Sequence, residues 1–176
     1  AQKIGKANYE EFIKETSITQ NPKIELEEVG VPHKLKWNKC KLETISYGHG
    51  ITTTPLQATA LYAAMINGGN IVTPSLIKER KTENPKSIIS FDTSIKLRNI
   101  LRKVVSSKDG TASLADKDGY YVGGKTGTAE SYGGTKNRIN TFISVFPSNN
   151  PNYTLFVMLE NPKINKDLIY NYRGVK

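Results

Sequence analysis

Cysteine is nearly absent. Cys40 stands alone, so no disulfide can close within the chain, and its lysine-flanked setting supplies no partner for a metal. Histidine is equally sparse, and His33 and His49 lie far apart without ligand spacing. No metal and no cofactor is therefore expected. Long apolar runs are missing too: Leu155-Phe-Val-Met-Leu159 is far too short to cross a bilayer, which takes about 20 residues. The first residues lack the form of a signal peptide. Basic clusters interleaved with aromatics are also lacking. The 25 lysines and arginines outnumber the 16 acids, for a net charge of +9, but they are spread along the chain. That pattern describes a solvated lysine-rich surface, and no nucleic-acid partner is expected. At 176 residues and 37% hydrophobic, the chain has the length of one domain or part of one, with little apolar surplus.

What is present reads as α+β. Lys6 to about Glu15 suits a short helix with Tyr9, Phe12 and Ile13 on one side. Residues 17–43 have little periodicity and form a long connection, with Trp37 as its packing anchor. Thr54, Pro55 and Gln57 then supply an N-cap, a first-turn proline and a capping box. The helix that follows turns Leu61, Ala64 and Met65 inward and stops at Asn67-Gly68-Gly69. Residues 70–78 and 87–91 are strand-like. Leu97, Ile100, Leu101, Val104 and Val105 recur at helical spacing, with Lys96, Arg102 and Lys103 facing away and Asp92 or Thr93 as cap. Residues 110–115 suit one more helical turn, capped by Thr111. Two apolar strands, 141–146 and 153–159, complete an antiparallel meander with residues 121–130, a loop around Gly133-Gly134 intervening. The tail from Asn161 to Lys176 is lysine-rich and irregular.

The stretch with chemistry in it is Tyr121-Val-Gly-Gly-Lys-Thr-Gly-Thr-Ala-Glu130. It opens like a strand and then sheds its bulk. Gly123, Gly124, Gly127 and Ala129 leave nearly bare backbone around one cation, Lys125, and two hydroxyls, Thr126 and Thr128. Glycine inside a strand marks close approach by a ligand or another backbone. A cation and two hydroxyls suit a carboxylate, and an edge strand adds backbone N–H groups for a peptide or an oxyanion. The same string also suits an inert hairpin. A phosphate loop fits poorly, because no helix follows the motif.

Lys125-Thr126-Gly127 is similar to the third motif of the penicillin-recognising serine acyltransferases, whose set is S-x-x-K, S-D-N and K-T-G. Ile45-Ser-Tyr-Gly-His-Gly-Ile-Thr-Thr-Thr-Pro-Leu-Gln57, Asn67-Gly-Gly-Asn-Ile-Val-Thr-Pro-Ser-Leu76 and Gly123-Gly-Lys-Thr-Gly-Thr-Ala-Glu130 resemble class B penicillin-binding proteins, in that family's order. The resemblance is strongest to the division-specific peptidoglycan D,D-transpeptidase. It implies a partial penicillin-binding-protein/beta-lactamase-like fold, an antiparallel sheet packed with helices, over residues 1–176. It implies as ligands the D-Ala-D-Ala end of a stem peptide and beta-lactam antibiotics, and as partners other division proteins. It places the parent on the periplasmic face of the bacterial inner membrane, with the anchor outside this chain. It further implies a catalytic role for Lys125, a hold on the substrate carboxylate by Thr126 and Thr128, and a Gly127 that lets the peptide lie against the backbone. The Gly110-Thr-Ala segment is implied to lie near the site.

The chain also departs from that pattern. Ser75-Leu-Ile-Lys78 spells S-x-x-K but follows the helix it should precede, in a strand-like run; Ser75 is not expected to be the nucleophile. Ser148-Asn-Asn150 comes after the third motif, in the wrong order. The expectation is a C-terminal portion lacking the serine-lysine and S-x-N motifs, inactive alone. The alternatives are a non-catalytic wall- or partner-binding module, or a beta-lactamase or D,D-carboxypeptidase relative.

Overall fold

The computed structural model describes residues 1–78, 85–130 and 137–163; the expected loop at Gly133-Gly134 and the tail beyond Lys163 lie outside them. Two compact units divide the chain, residues 1–98 and 99–176.

In the first unit, α1 (Lys6–Thr16) buries Ile13, while Phe12 stays at the surface. Lys6 lies over the Trp37 ring at 5.5 Å, so the tryptophan does anchor the long connection. That connection also holds a short helix with no periodic signal, α2 (Lys41–Ile45), which buries Ile45. Helix α3 (Pro55–Ile66) starts as its sequence dictates. Gln57 N–H donates to Thr54 Oγ1 at 3.2 Å, and Thr54 N–H donates back to Gln57 Oε1 at 3.3 Å. The Gln57 amide also donates to the Ser17 and Gln20 carbonyls, tying the helix start to the end of α1. Ala58, Ala64 and Ile66 are buried, whereas Leu61 and Met65 are half-buried. The two strand-like runs expected at 70–78 and 87–91 do not form strands. They touch through one bridge, Asn70 to Ser87, because β-rich composition without an extended partner yields no ladder.

Helix α4 (Phe91–Ser106) starts in the first unit and ends in the second. Its cap is Ser90, not Asp92 or Thr93: the Thr93 N–H donates to Ser90 Oγ at 3.2 Å. Ser94, wholly buried, accepts from the Gly68 N–H, and Arg98 Nε donates to the Ile66 carbonyl. Both bonds close the C-terminal end of α3.

The second unit holds the sheet, β1 (Gly123–Glu130), β2 (Arg138–Phe146) and β3 (Tyr153–Glu160), antiparallel in the order β1-β2-β3. The register sets Lys125 opposite Ile143 and Thr126 opposite Phe142; Ile143 in turn pairs with Phe156. Period-two alternation puts Gly123, Lys125 and Gly127 on one face with Val145 and Ile143, and Gly124 and Thr126 on the other with Ser144 and Phe142. The core is made by Leu101 and Val105 of α4 with Ile143 and Val145, the last fully buried. Helix and strand come close at Gly123, where an added Cβ would lie 3.2 Å from the Arg102 nitrogen. Ile100, expected inward, is 56% exposed, since its position lies at the margin of the apolar stripe.

Candidate functional site

The Lys-Thr-Gly stretch is a strand, at the outer edge of the sheet among the described residues. It begins at Gly123 rather than Tyr121, because Tyr121 has φ of 52°, outside the range a strand allows. The left-handed turn is held from behind by α4. Arg102 pairs with both Asp116 oxygens, at 2.7 and 3.3 Å, donates to the Val122 carbonyl at 2.8 Å, and stacks over the Tyr121 ring at 5.3 Å. Helical periodicity places Arg102 facing away; the structure instead turns it inward, onto the chain leading into β1. Replacing Arg102 by leucine is expected to cost about 2 kcal/mol of stability, the worth of charge-assisted bonds in a partly exposed setting. Urea unfolding measures it, and an unchanged midpoint would show the clamp to be ornamental.

On the strand itself Lys125 is exposed, and its ammonium donates to the Thr126 carbonyl at 2.7 Å. The Thr126 hydroxyl donates to the Thr111 hydroxyl at 3.0 Å. Thr111 therefore does not cap the following turn; Ala112 occupies that position before the 3-10 turn Ser113–Ala115. Gly127 lies over Thr141, whose Oγ1 would sit 2.5 Å from an added Cβ. Gly124 is more rigidly enclosed, since an added Cβ would lie 2.7 Å from both the Ile143 carbonyl and the Phe142 ring. A hollow of about 360 Å³ opens on the Phe142 face, lined by Lys117, Tyr120, Val122, Phe142, Phe146 and Leu155 among others. It lies beside the Lys-Thr-Gly residues and is not lined by them.

The two other motif-like strings are placed elsewhere in the chain's architecture. Ser75 lies in irregular chain and Lys78 in a turn, with Ser75 Oγ donating to Glu25 at 2.7 Å and accepting from the Ile77 N–H. A serine and a lysine one helical turn apart do not arise there. Ser148 is buried against Gly123, its N–H donating to the Tyr121 carbonyl at 2.8 Å. It is a packing residue. Among the described residues no group of three or more His, Cys, Asp or Glu is arranged to hold a metal, and His33, His49 and Cys40 are exposed. No helix among them is long and apolar enough to cross a membrane.

Residues 1–174 match the penicillin binding protein transpeptidase domain, and the chain belongs to that family. Its relatives are class B penicillin-binding proteins. It is 34% identical over 181 residues to stage V sporulation protein D of Bacillus subtilis, covering 92% of this chain and 28% of that protein. It is 30% identical over 179 residues to the probable peptidoglycan D,D-transpeptidase FtsI of Caulobacter vibrioides, covering 94% of this chain and 30% of that protein. Among solved structures it resembles the transpeptidase domain of Burkholderia pseudomallei penicillin-binding protein 3, with a TM-score of 0.79 and 25% identity, over 89% of this chain and 50% of that one. The chain thus spans less than a third of these relatives' length and half of that solved domain. The α+β architecture, helices with an antiparallel sheet, is the expected partial transpeptidase fold.

Proposed function

We propose that this chain is the C-terminal portion of the catalytic domain of a serine-type peptidoglycan D,D-transpeptidase, and that it supplies the substrate-binding strand. The observation that carries the proposal is the pairing of Lys125 with Thr126, Gly127 and Thr128 on an edge strand in a chain of this family. In the reaction a serine hydroxyl attacks the carbonyl between two D-alanines. Its proton passes to a lysine one helical turn away, and the terminal D-alanine leaves with a proton on its amine. The amine of a neighbouring stem peptide then attacks the ester, forming the crosslink and releasing the serine. A beta-lactam enters by the same attack and stalls at the ester.

Serine and first lysine belong to sequence upstream of this chain, as does the S-x-N motif. Lys125 bonds the serine of that S-x-N motif and supplies positive potential where the oxyanion develops. Thr126 and Thr128 hold the terminal carboxylate, and Thr128 contributes one backbone oxyanion donor. Gly127 keeps the strand bare for an extended peptide. The cellular role is septal wall synthesis with division partners, on the periplasmic face of the inner membrane. A fluorescent penicillin tests this: the full-length gene product becomes labelled, and the 176-residue chain alone does not. A stable adduct on any serine of this chain would overturn the assignment of the nucleophile.

A further inference from the structure

Thr111 holds no role in the account above, yet it touches Thr126 through their hydroxyls. Its loop is firmly placed. Ala112 is buried and its N–H donates to the Val104 carbonyl at the end of α4, while Gly110 N–H donates to the Ser107 carbonyl at 2.9 Å. A side chain on Gly110 would strike the Val104 carbonyl, so the loop lies this close only with glycine there. Thr111 is thereby fixed against β1 by the helix that backs the strand.

Two hydroxyls in contact use one proton between them and leave the other to point elsewhere. In the structure Thr126 donates to Thr111, and in that state it would meet an incoming carboxylate with lone pairs alone. If Thr111 donates instead, the Thr126 proton is released toward the anion, and the chain of two bonds polarises it. We propose that Thr111 is a positioning residue for Thr126: it fixes the Thr126 side chain and turns that hydroxyl into a donor when a carboxylate arrives. The proposal rests on the reading of Thr126 as a carboxylate-binding group.

The test compares acylation of the full-length product by a penicillin and by the methyl ester of the same penicillin, which lacks the anion. Thr111→Val is expected to lower the rate constant for the free acid about five- to ten-fold, the effect of one neutral hydrogen bond, and to leave the ester within about two-fold. Thr111→Ser, which keeps donor and acceptor, restores the preference for the acid. Equal losses toward both ligands, with or without a lower melting temperature, would mean a merely structural role and overturn the proposal. So would an unchanged preference in Thr111→Val where Thr126→Val loses it. A wild-type protein that is not acylated at all overturns the reading of function itself, and this proposal with it.

Discussion

Replacing Lys125 by alanine in the full-length product is expected to abolish capture of a fluorescent penicillin, a loss of about 10²- to 10³-fold in acylation rate. That is the scale on which one preorganised electrostatic group at a developing oxyanion acts. Stability should scarcely change, because Lys125 is exposed and, among the described residues, its ammonium reaches only the neighbouring Thr126 carbonyl. Surface substitutions away from special features stay within about 0.5 kcal/mol. The two readouts thus separate chemistry from folding. Acylation at the wild-type rate would remove Lys125 from the site, whereas a collapsed melting curve would make it a structural residue.

The second large effect falls on the fold. Gly124→Val should lower the melting temperature of the domain by about 5–10 °C, while Gly127→Ala leaves it nearly unchanged. Both glycines lie on β1, three residues apart, but their surroundings differ in kind. At Gly124 an added Cβ would sit 2.7 Å from the Ile143 carbonyl and 2.7 Å from the Phe142 ring, so the ladder between β1 and β2 has to open. At Gly127 its nearest neighbour is the Thr141 hydroxyl, the end of a side chain that can rotate away. Overpacking against backbone costs about 1–3 kcal/mol or more, and a domain of this size loses roughly 2–4 °C for each. Equal melting temperatures for the two variants would show that strand pairing yields more easily than its geometry implies.

How much of this was legible beforehand differs from element to element. The capping box at Thr54 and Gln57 is a local device, written in four consecutive residues, and it formed as read. The last two strands declared themselves at 141–146 and 153–159 through apolar runs on either side of Pro147 and Pro151, and the structure extends the first back to Arg138. Arg102 was not legible. Helical spacing puts it off the apolar stripe, but its partners Asp116 and Val122 come from 14 and 20 residues further along, and only the folded loop brings them under the guanidinium. The same holds for residues 70–78, whose β-rich composition found one bridge instead of a ladder, since pairing depends on what stands alongside. At the candidate site, residue types singled out Lys125, Thr126, Gly127 and Thr128, which the structure sets on one edge strand, while the Thr111 contact spans 15 residues and left no mark in spacing.

Helix α4 presents no reacting group, yet it grips both the turn before the binding strand, through Arg102, and the loop after its own last turn, through the Val104 carbonyl. It works as a jig that sets the pose of parts it does not resemble. Changes to this brace would shift the pose of the Lys125 strand from behind, without altering any residue on the strand itself.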